Sequence, residues 1–209
     1  MRGFLITVEG GEAAGKSTQC RLLAEELASK GHRLLRTREP GGAPGAERLR
    51  TLLLTGDHDL SLHAEILVHF ASRFDHVEQT IVPALARGTI VICDRFYDST
   101  LAYQGFGLGY AAPETLAFIR SLIALTPVAP DLTLLLDLPL EAARQRLAER
   151  GTDPDRYERL DEAFHRRVAE GFRQIAHDAP ERVVTIDAGR DPDAVHRVLL
   201  REVEQRLPG

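Results

Sequence analysis

The chain has 209 residues, of which 44% are hydrophobic and 27% charged, with a formal net charge of -5. That suits one ordinary globular domain with a full core. It argues against broad nucleic-acid binding, and no apolar run approaches the ~18 residues of a membrane span. Cys20 and Cys93 lack metal or redox spacing and the N-terminus lacks signal-peptide features, so a reduced, cytoplasmic setting is expected. Asn is absent, which excludes the Asn-Lys-x-Asp motif of guanine-specific switches.

In chain order, Ile6, Thr7 and Val8 lead a buried strand over 6–10, and a helix runs from Lys16 to about Lys30, stopped by Gly31. A strand over 32–37 is followed by a Gly/Pro loop over 39–45. Helices are predicted from about Glu47 to Leu54 and from about Leu62 to Ala86. The apolar run 88–94 is a strand. A short helix near Ser99–Tyr103 precedes a Gly-rich loop, then a helix over Pro113–Leu125. Residues 132–138 form a fourth strand and Leu140–Arg150 a helix. A polar, Arg-rich loop runs from Gly151 to about Arg159. A helix over Asp161–Asp178, a strand over 183–188 and a helix over Asp191–Arg206 complete the chain; Asp57-His58-Asp59 reads as a polar loop. Short apolar strands alternating with helices predict an α/β fold, a five-stranded parallel sheet flanked by helices. Ligands then gather beyond the carboxyl ends of the strands.

Gly10 to Thr18 reads GGEAAGKST, a glycine, four residues, then Gly15-Lys16-Ser17. Placed between a strand and a helix, it is a phosphate-binding loop. Backbone N–H groups of Gly10, Gly11, Glu12, Ala13, Ala14, Gly15, Lys16, Ser17 and Thr18 would cradle ATP phosphates. Lys16 would reach the outer phosphates and Ser17 would ligate Mg²⁺. Glu12 is the anomaly: a carboxylate about 6 Å from a phosphate charge is repelled by roughly 3 kcal/mol at an effective dielectric near 20.

Further cations follow. Arg38 opens the Gly/Pro loop, as a residue aimed at an anion would. Asp94 ends a buried strand, where a carboxylate needs Mg²⁺ or a hydrogen-bonded partner, and Arg95 suits bidentate phosphate binding. Ser99, Thr100, Tyr103 and Gln104 cluster hydrogen-bonding groups; Gln104 or Thr100 is placed to read a base edge. On the helix after Leu62, Ile66, Phe70, Phe74, Val77 and Ile81 form an apolar stripe. Glu65, His69, Arg73 and His76 form the other, either a solvated face or a ring and a cation presented to a base. Arg146, Arg150, Arg156 and Arg159 mark a mobile lid over about 146–159 that would bring arginines onto the transferring phosphoryl group.

Taken in order, EGGEAAGKS, TREPGG, the Arg73 helix, DRF…STLAYQG, DLTLLLDLP, the lid ending in DRYE and the terminal TIDA resemble bacterial thymidylate kinase, among the P-loop nucleoside monophosphate kinases. The resemblance implies a single kinase domain, usually a cytoplasmic homodimer, that moves the γ-phosphoryl of ATP to dTMP with Mg²⁺. It implies that Arg95, assisted by Arg38, holds the dTMP phosphate and Arg73 the thymine carbonyl. Thr100 and Gln104 would contact the base, and Tyr103 would pack where a ribose 2′-OH would lie. Asp94 and Glu12 would organise Mg²⁺, water and the acceptor sugar, and the lid arginines would stabilise the transition state. Membrane and nucleic acid are not among the expected partners. A kinase for another small acceptor such as dUMP, or a P-loop ATPase switch that binds a protein, are the alternatives. Three positions depart from the family. His69 stands where Phe is usual; it is expected to stack on the base and make dTMP affinity pH-sensitive near 6.5. Ala13 replaces a common Gly, which suggests a backbone position without positive φ. Phe96 replaces Tyr or His.

Overall fold

The computed structural model describes residues 2–55, 59–151 and 153–208; Asp57 and His58 of the expected polar loop lie outside them. Strands β1 (Leu5–Gly10), β2 (Leu34–Arg38), β3 (Ile90–Asp94), β4 (Leu132–Asp137) and β5 (Val183–Asp187) form one sheet in the order β2-β3-β1-β4-β5. Every pairing is parallel. The register sets Arg38 beside Asp94 and Gly10 beside Leu136. One edge of the sheet therefore collects the polar strand ends.

Both faces are covered, as a parallel sheet requires. The strand period of two sends Ile6 and Val8 to a core shared with α1 (Lys16–Ser29) and α9 (Pro192–Glu204), through Leu23, Leu27, Leu199 and Val203. Leu5, Val91 and Cys93 face the opposite core, under Val77, Ile81 and Leu85. Leu135 meets α8 (Glu162–Asp178) through the cluster of Phe164, Val168 and Phe172. Thr7 and Thr133, on neighbouring strands, satisfy each other inside the sheet at 2.7 Å.

The remaining helices are α2 (Pro44–Thr55), α3 (Leu62–His76), α4 (Val82–Ala86), α5 (Tyr97–Thr100), α6 (Pro113–Leu125) and α7 (Leu140–Arg150). Two sequence expectations shift. Helix α2 starts at Pro44 rather than near Glu47, because proline's fixed φ suits a first turn. The Gly-rich segment after Tyr103 is not a loop: α5 continues as a π-helical stretch over Leu101–Leu108. Its glycines serve close packing. A Cβ at Gly107 would lie 2.5 Å from the Phe164 ring, and one at Gly105 2.8 Å from Leu116. A second π-helical stretch, Val77–Ile81, joins α3 to α4 without a break, so the long helix to Ala86 is as expected. No helix among the described residues is long and apolar enough to cross a membrane.

Candidate active site

A cavity of about 480 Å³ opens beyond the strand ends. Its lining includes Glu12, Ala13, Ala14, Gly15, Lys16, Ser17, Thr18, Arg38, His69, Arg73, Asp94, Arg95, Thr100, Tyr103, Gln104, Arg146 and Arg150. Of the residues predicted for the site, Gly10, Gly11 and Arg156 are absent from this lining. Gly10 and Gly11 border a second, smaller cavity between α7 and α8.

The phosphate loop leaves β1 at Gly10, which has φ 139° and lies against β4; a Cβ there would sit 2.4 Å from the Leu136 carbonyl oxygen. Only glycine fits. Gly15, at φ 90°, caps α1 and lets the helix start at Lys16. Ala13 corrects an expectation: its φ is 53°, left-handed after all. An alanine there costs roughly 1–2 kcal/mol, and the loop's remaining contacts hold it, among them Arg146 Nη1 on the Ala13 carbonyl at 3.4 Å. The Lys16 ammonium is buried and donates to the carbonyls of Gly11 (2.6 Å) and Gly10 (3.2 Å). Burial, then Arg95, pulls its pKa down, opposed by Glu12, Asp94 and Glu9. Ser17 Oγ donates to Asp94 Oδ2 at 2.6 Å. The two oxygen groups expected to hold Mg²⁺ thus meet at the mouth of the loop.

Arg95 faces the loop from β3. Its φ of 69° is strained for a side-chain-bearing residue, and such strain concentrates at functional positions. Nη1 donates to the Gly10 carbonyl (3.0 Å) and Ser99 (3.2 Å); Nη2 donates to Glu12 Oε1 (2.9 Å) and Tyr103 Oη (3.1 Å). Tyr103 Oη donates to the same Glu12 oxygen at 2.6 Å. Burial pushes the Glu12 carboxyl up, but Arg95, Lys16 and the Tyr103 hydrogen bond outweigh it and bring the pKa down to about 2. Arg95 is the cation directly paired with Glu12.

The polar stripe of α3 is buried, not solvated: Glu65, His69, Arg73 and His76 are each at most 8% exposed. Arg73 donates through Nε to Glu39 Oε2 (2.8 Å) and through Nη2 to Thr100 (3.1 Å). His69 Nε2 meets Tyr157 Oη at 3.0 Å. Gln104 donates to Glu65 (3.0 Å) and Tyr157 (3.0 Å), and Tyr157 Oη donates to Glu65 (2.9 Å). Arg156 spends its charge on Glu65 at 2.7 Å, away from the cavity. Arg146 binds the Ala188 carbonyl (2.9 Å) and Arg150 pairs with Glu158 (2.7 Å). Arg38 pairs with Glu47 at the exposed rim (3.0 Å). Phe96 is fully buried, with the Arg73 guanidinium 5.5 Å from its ring centre.

Sequence reasoning passed over Glu39 and Tyr157 as functional groups, and gave Ser99 and Glu65 no specific role. Glu39 left a signal: an acid inside a Gly/Pro loop is stable when buried only against a cation, and Arg73 was already in view. Glu65 shared a helix face with Arg73 and His69.

Residues 8–199 match the family model described as thymidylate kinase. The thymidylate kinase of Gluconobacter oxydans is 57% identical over 206 residues, covering 99% of this chain and 96% of that protein. That of Caulobacter vibrioides is 48% identical, with 99% and 98% covered. The crystal structure of the Ehrlichia chaffeensis thymidylate kinase superposes with a TM-score of 0.78 at 34% identity, covering 98% of this chain and 99% of that one. Likeness at this level, end to end and in three dimensions, makes the chain a member of the thymidylate kinase family.

Proposed function

We propose that this chain transfers the γ-phosphoryl group of ATP to dTMP, giving dTDP and ADP. One observation carries the reading. The cavity is lined by Lys16 with the phosphate loop and, beside these, by Arg95, Arg38 and Arg73. A water-using ATPase needs only the first.

In this reading the loop amides and Lys16 hold the β- and γ-phosphates, and Arg95 with Arg38 orients the dTMP phosphate. An oxygen of that phosphate attacks the γ-phosphorus in line as the bond to the β-phosphate oxygen breaks. The attacking oxygen is already anionic, so no base is required. The protein's contribution is position and charge. Ser17 and Asp94 fit a hard cation: both offer oxygen, and no all-protein cluster of three acidic, His or Cys ligands occurs among the described residues. Mg²⁺ held there would neutralise charge on the β- and γ-phosphates. Arg146 and Arg150 line the cavity, which supports them as the lid arginines that would stabilise the transition state; Arg156, paired with Glu65, fits a structural role. Tyr103, paired with Glu12 and Arg95, would close the space beside the sugar. A single domain with a lid at 146–159, a cytoplasmic setting and a homodimer complete the reading. The unpaired, buried Cys20 and Cys93 fit a reducing compartment, and the dimer is carried over from the family.

The experiment is turnover of dTMP, dUMP, dCMP and dGMP with ATP, beside a control without acceptor. dTMP should give the highest kcat/KM and the control almost no ADP. A better acceptor than dTMP, or full ADP production without one, overturns the assignment.

A further inference from the structure

Arg73 is fixed more firmly than contact with a ligand requires. Nε and Nη2 are committed to Glu39 and Thr100, and the guanidinium carbon lies 4.7 Å from the centre of the Phe70 ring and 5.5 Å from that of Phe96. Nη1 alone is buried with no partner among the described residues.

Glu39 is fixed in turn. Its second oxygen takes a hydrogen bond from His76 Nδ1 at 3.0 Å. A carboxylate only accepts, so Nδ1 carries a proton, and Nε2 meets the Thr37 hydroxyl 2.7 Å away. His76 is fully buried. Gly42 closes over this hydrogen bond: a Cβ there would lie 2.3 Å from His76 Nε2 and 2.6 Å from Thr37 Oγ1. The relay Thr37–His76–Glu39–Arg73 thus leaves Nη1 as the one nitrogen of the cation with no bond made.

We infer that Glu39 and His76 are positioning residues that set base specificity: by locking Arg73, they admit an acceptor base with a carbonyl oxygen opposite Nη1 and refuse one with an amino group there. An unlocked guanidinium could turn away from an amino group. A locked one meets it donor to donor and leaves both unpaired in a buried place. The inference rests on the dTMP reading above.

The test compares dTMP with 5-methyl-dCMP, which keeps the methyl group, sugar and phosphate and exchanges the keto group for an amino group. Kinetics are measured for the unaltered enzyme, His76→Leu, His76→Asn and Thr37→Val. His76→Leu should lower the preference for dTMP about tenfold, the worth of one misaligned hydrogen bond, chiefly through KM. His76→Asn, which keeps an N–H for Glu39, should recover most of it. Thr37→Val should shift the preference the same way, by less. A preference unchanged in His76→Leu, or lost equally in His76→Asn, overturns the inference. If His76→Leu does not fold, an unchanged preference in Thr37→Val overturns it instead. If the unaltered enzyme does not prefer dTMP, it is the dTMP reading that fails.

Discussion

Glu12→Gln removes the carboxylate from the phosphate loop while keeping its shape. The drop of the Glu12 pKa from 4.5 to about 2 corresponds to roughly 3 kcal/mol of preference for the charged form in the folded state. The side chain is only 13% exposed, so solvent screening removes little of this. Because the folded pKa is depressed, the contribution is present above pH 4.5 and lost as pH falls toward about 2. The amide can still accept one hydrogen bond from Tyr103 or Arg95, so the expected loss at pH 7 is about 1–3 kcal/mol. The catalytic effect should be larger. Glu12 holds Arg95 and Tyr103, which the proposed function puts on the acceptor side, where a displacement of about 1 Å costs on the order of a hundredfold in turnover. The assays are urea unfolding at pH 7 and pH 3 and steady-state kinetics with each substrate varied in turn. Stability should differ between the two enzymes at pH 7 and converge toward pH 3. kcat should fall about a hundredfold with KM for ATP changed less than about threefold. A large rise in KM for ATP at unchanged kcat would refute the placement of Glu12 on the acceptor side.

Two further outcomes follow from the backbone and the core. Ala13→Gly relieves left-handed strain of roughly 1–2 kcal/mol and gives back part of it as chain flexibility. A net gain of about 0.5 kcal/mol, or about 1 °C in melting temperature, is expected by calorimetry, and a clear destabilisation would contradict it. Glu9 is fully buried, accepting from Phe96 N (2.7 Å) and Ser99 Oγ (2.6 Å); burial, then Asp98, pushes its carboxyl up to about 8. The folded state then holds this proton more tightly than the unfolded one. Its contribution to stability therefore falls as pH rises from about 4.5 to 8. Urea unfolding across that range should show a steeper decline for the unaltered protein than for Glu9→Gln; parallel curves would exclude it.

The strands and most helices were legible because burial on both faces leaves short apolar runs that no surface element imitates. Helix α3 was legible in phase but not in environment. Periodicity separated Ile66 and Phe70 from His69 and Arg73, yet both stripes are buried, one against side chains and one against charge partners distant in sequence. The GFGLG segment misled because glycine marks turns and close packing alike. Only Leu116 on the next helix and Phe164, far along the chain, decide between them. Ala13 misled for a related reason: residue identity records what a position tolerates, and a loop braced at both ends tolerates about 1 kcal/mol of strain. The phosphate loop was readable because its glycines, Lys16 and Ser17 are contiguous in sequence; Asp94 and Arg95 were readable from their place at a strand end, although their partners Ser17, Gly10 and Glu12 lie far away along the chain.

The Glu65 cluster has a consequence for how such sequences can change. Tyr157 Oη gives its proton to Glu65 and sits 3.0 Å from both His69 Nε2 and Gln104 Nε2, so it serves three residues at once. Exchanging His69 for phenylalanine alone takes one hydrogen-bonding partner from that oxygen, and exchanging Tyr157 alone takes one from the imidazole, which keeps Gln104 Nε2 at 3.2 Å. Positions 69 and 157 are therefore coupled physically: a new side chain at either one changes the hydrogen bonding of the other.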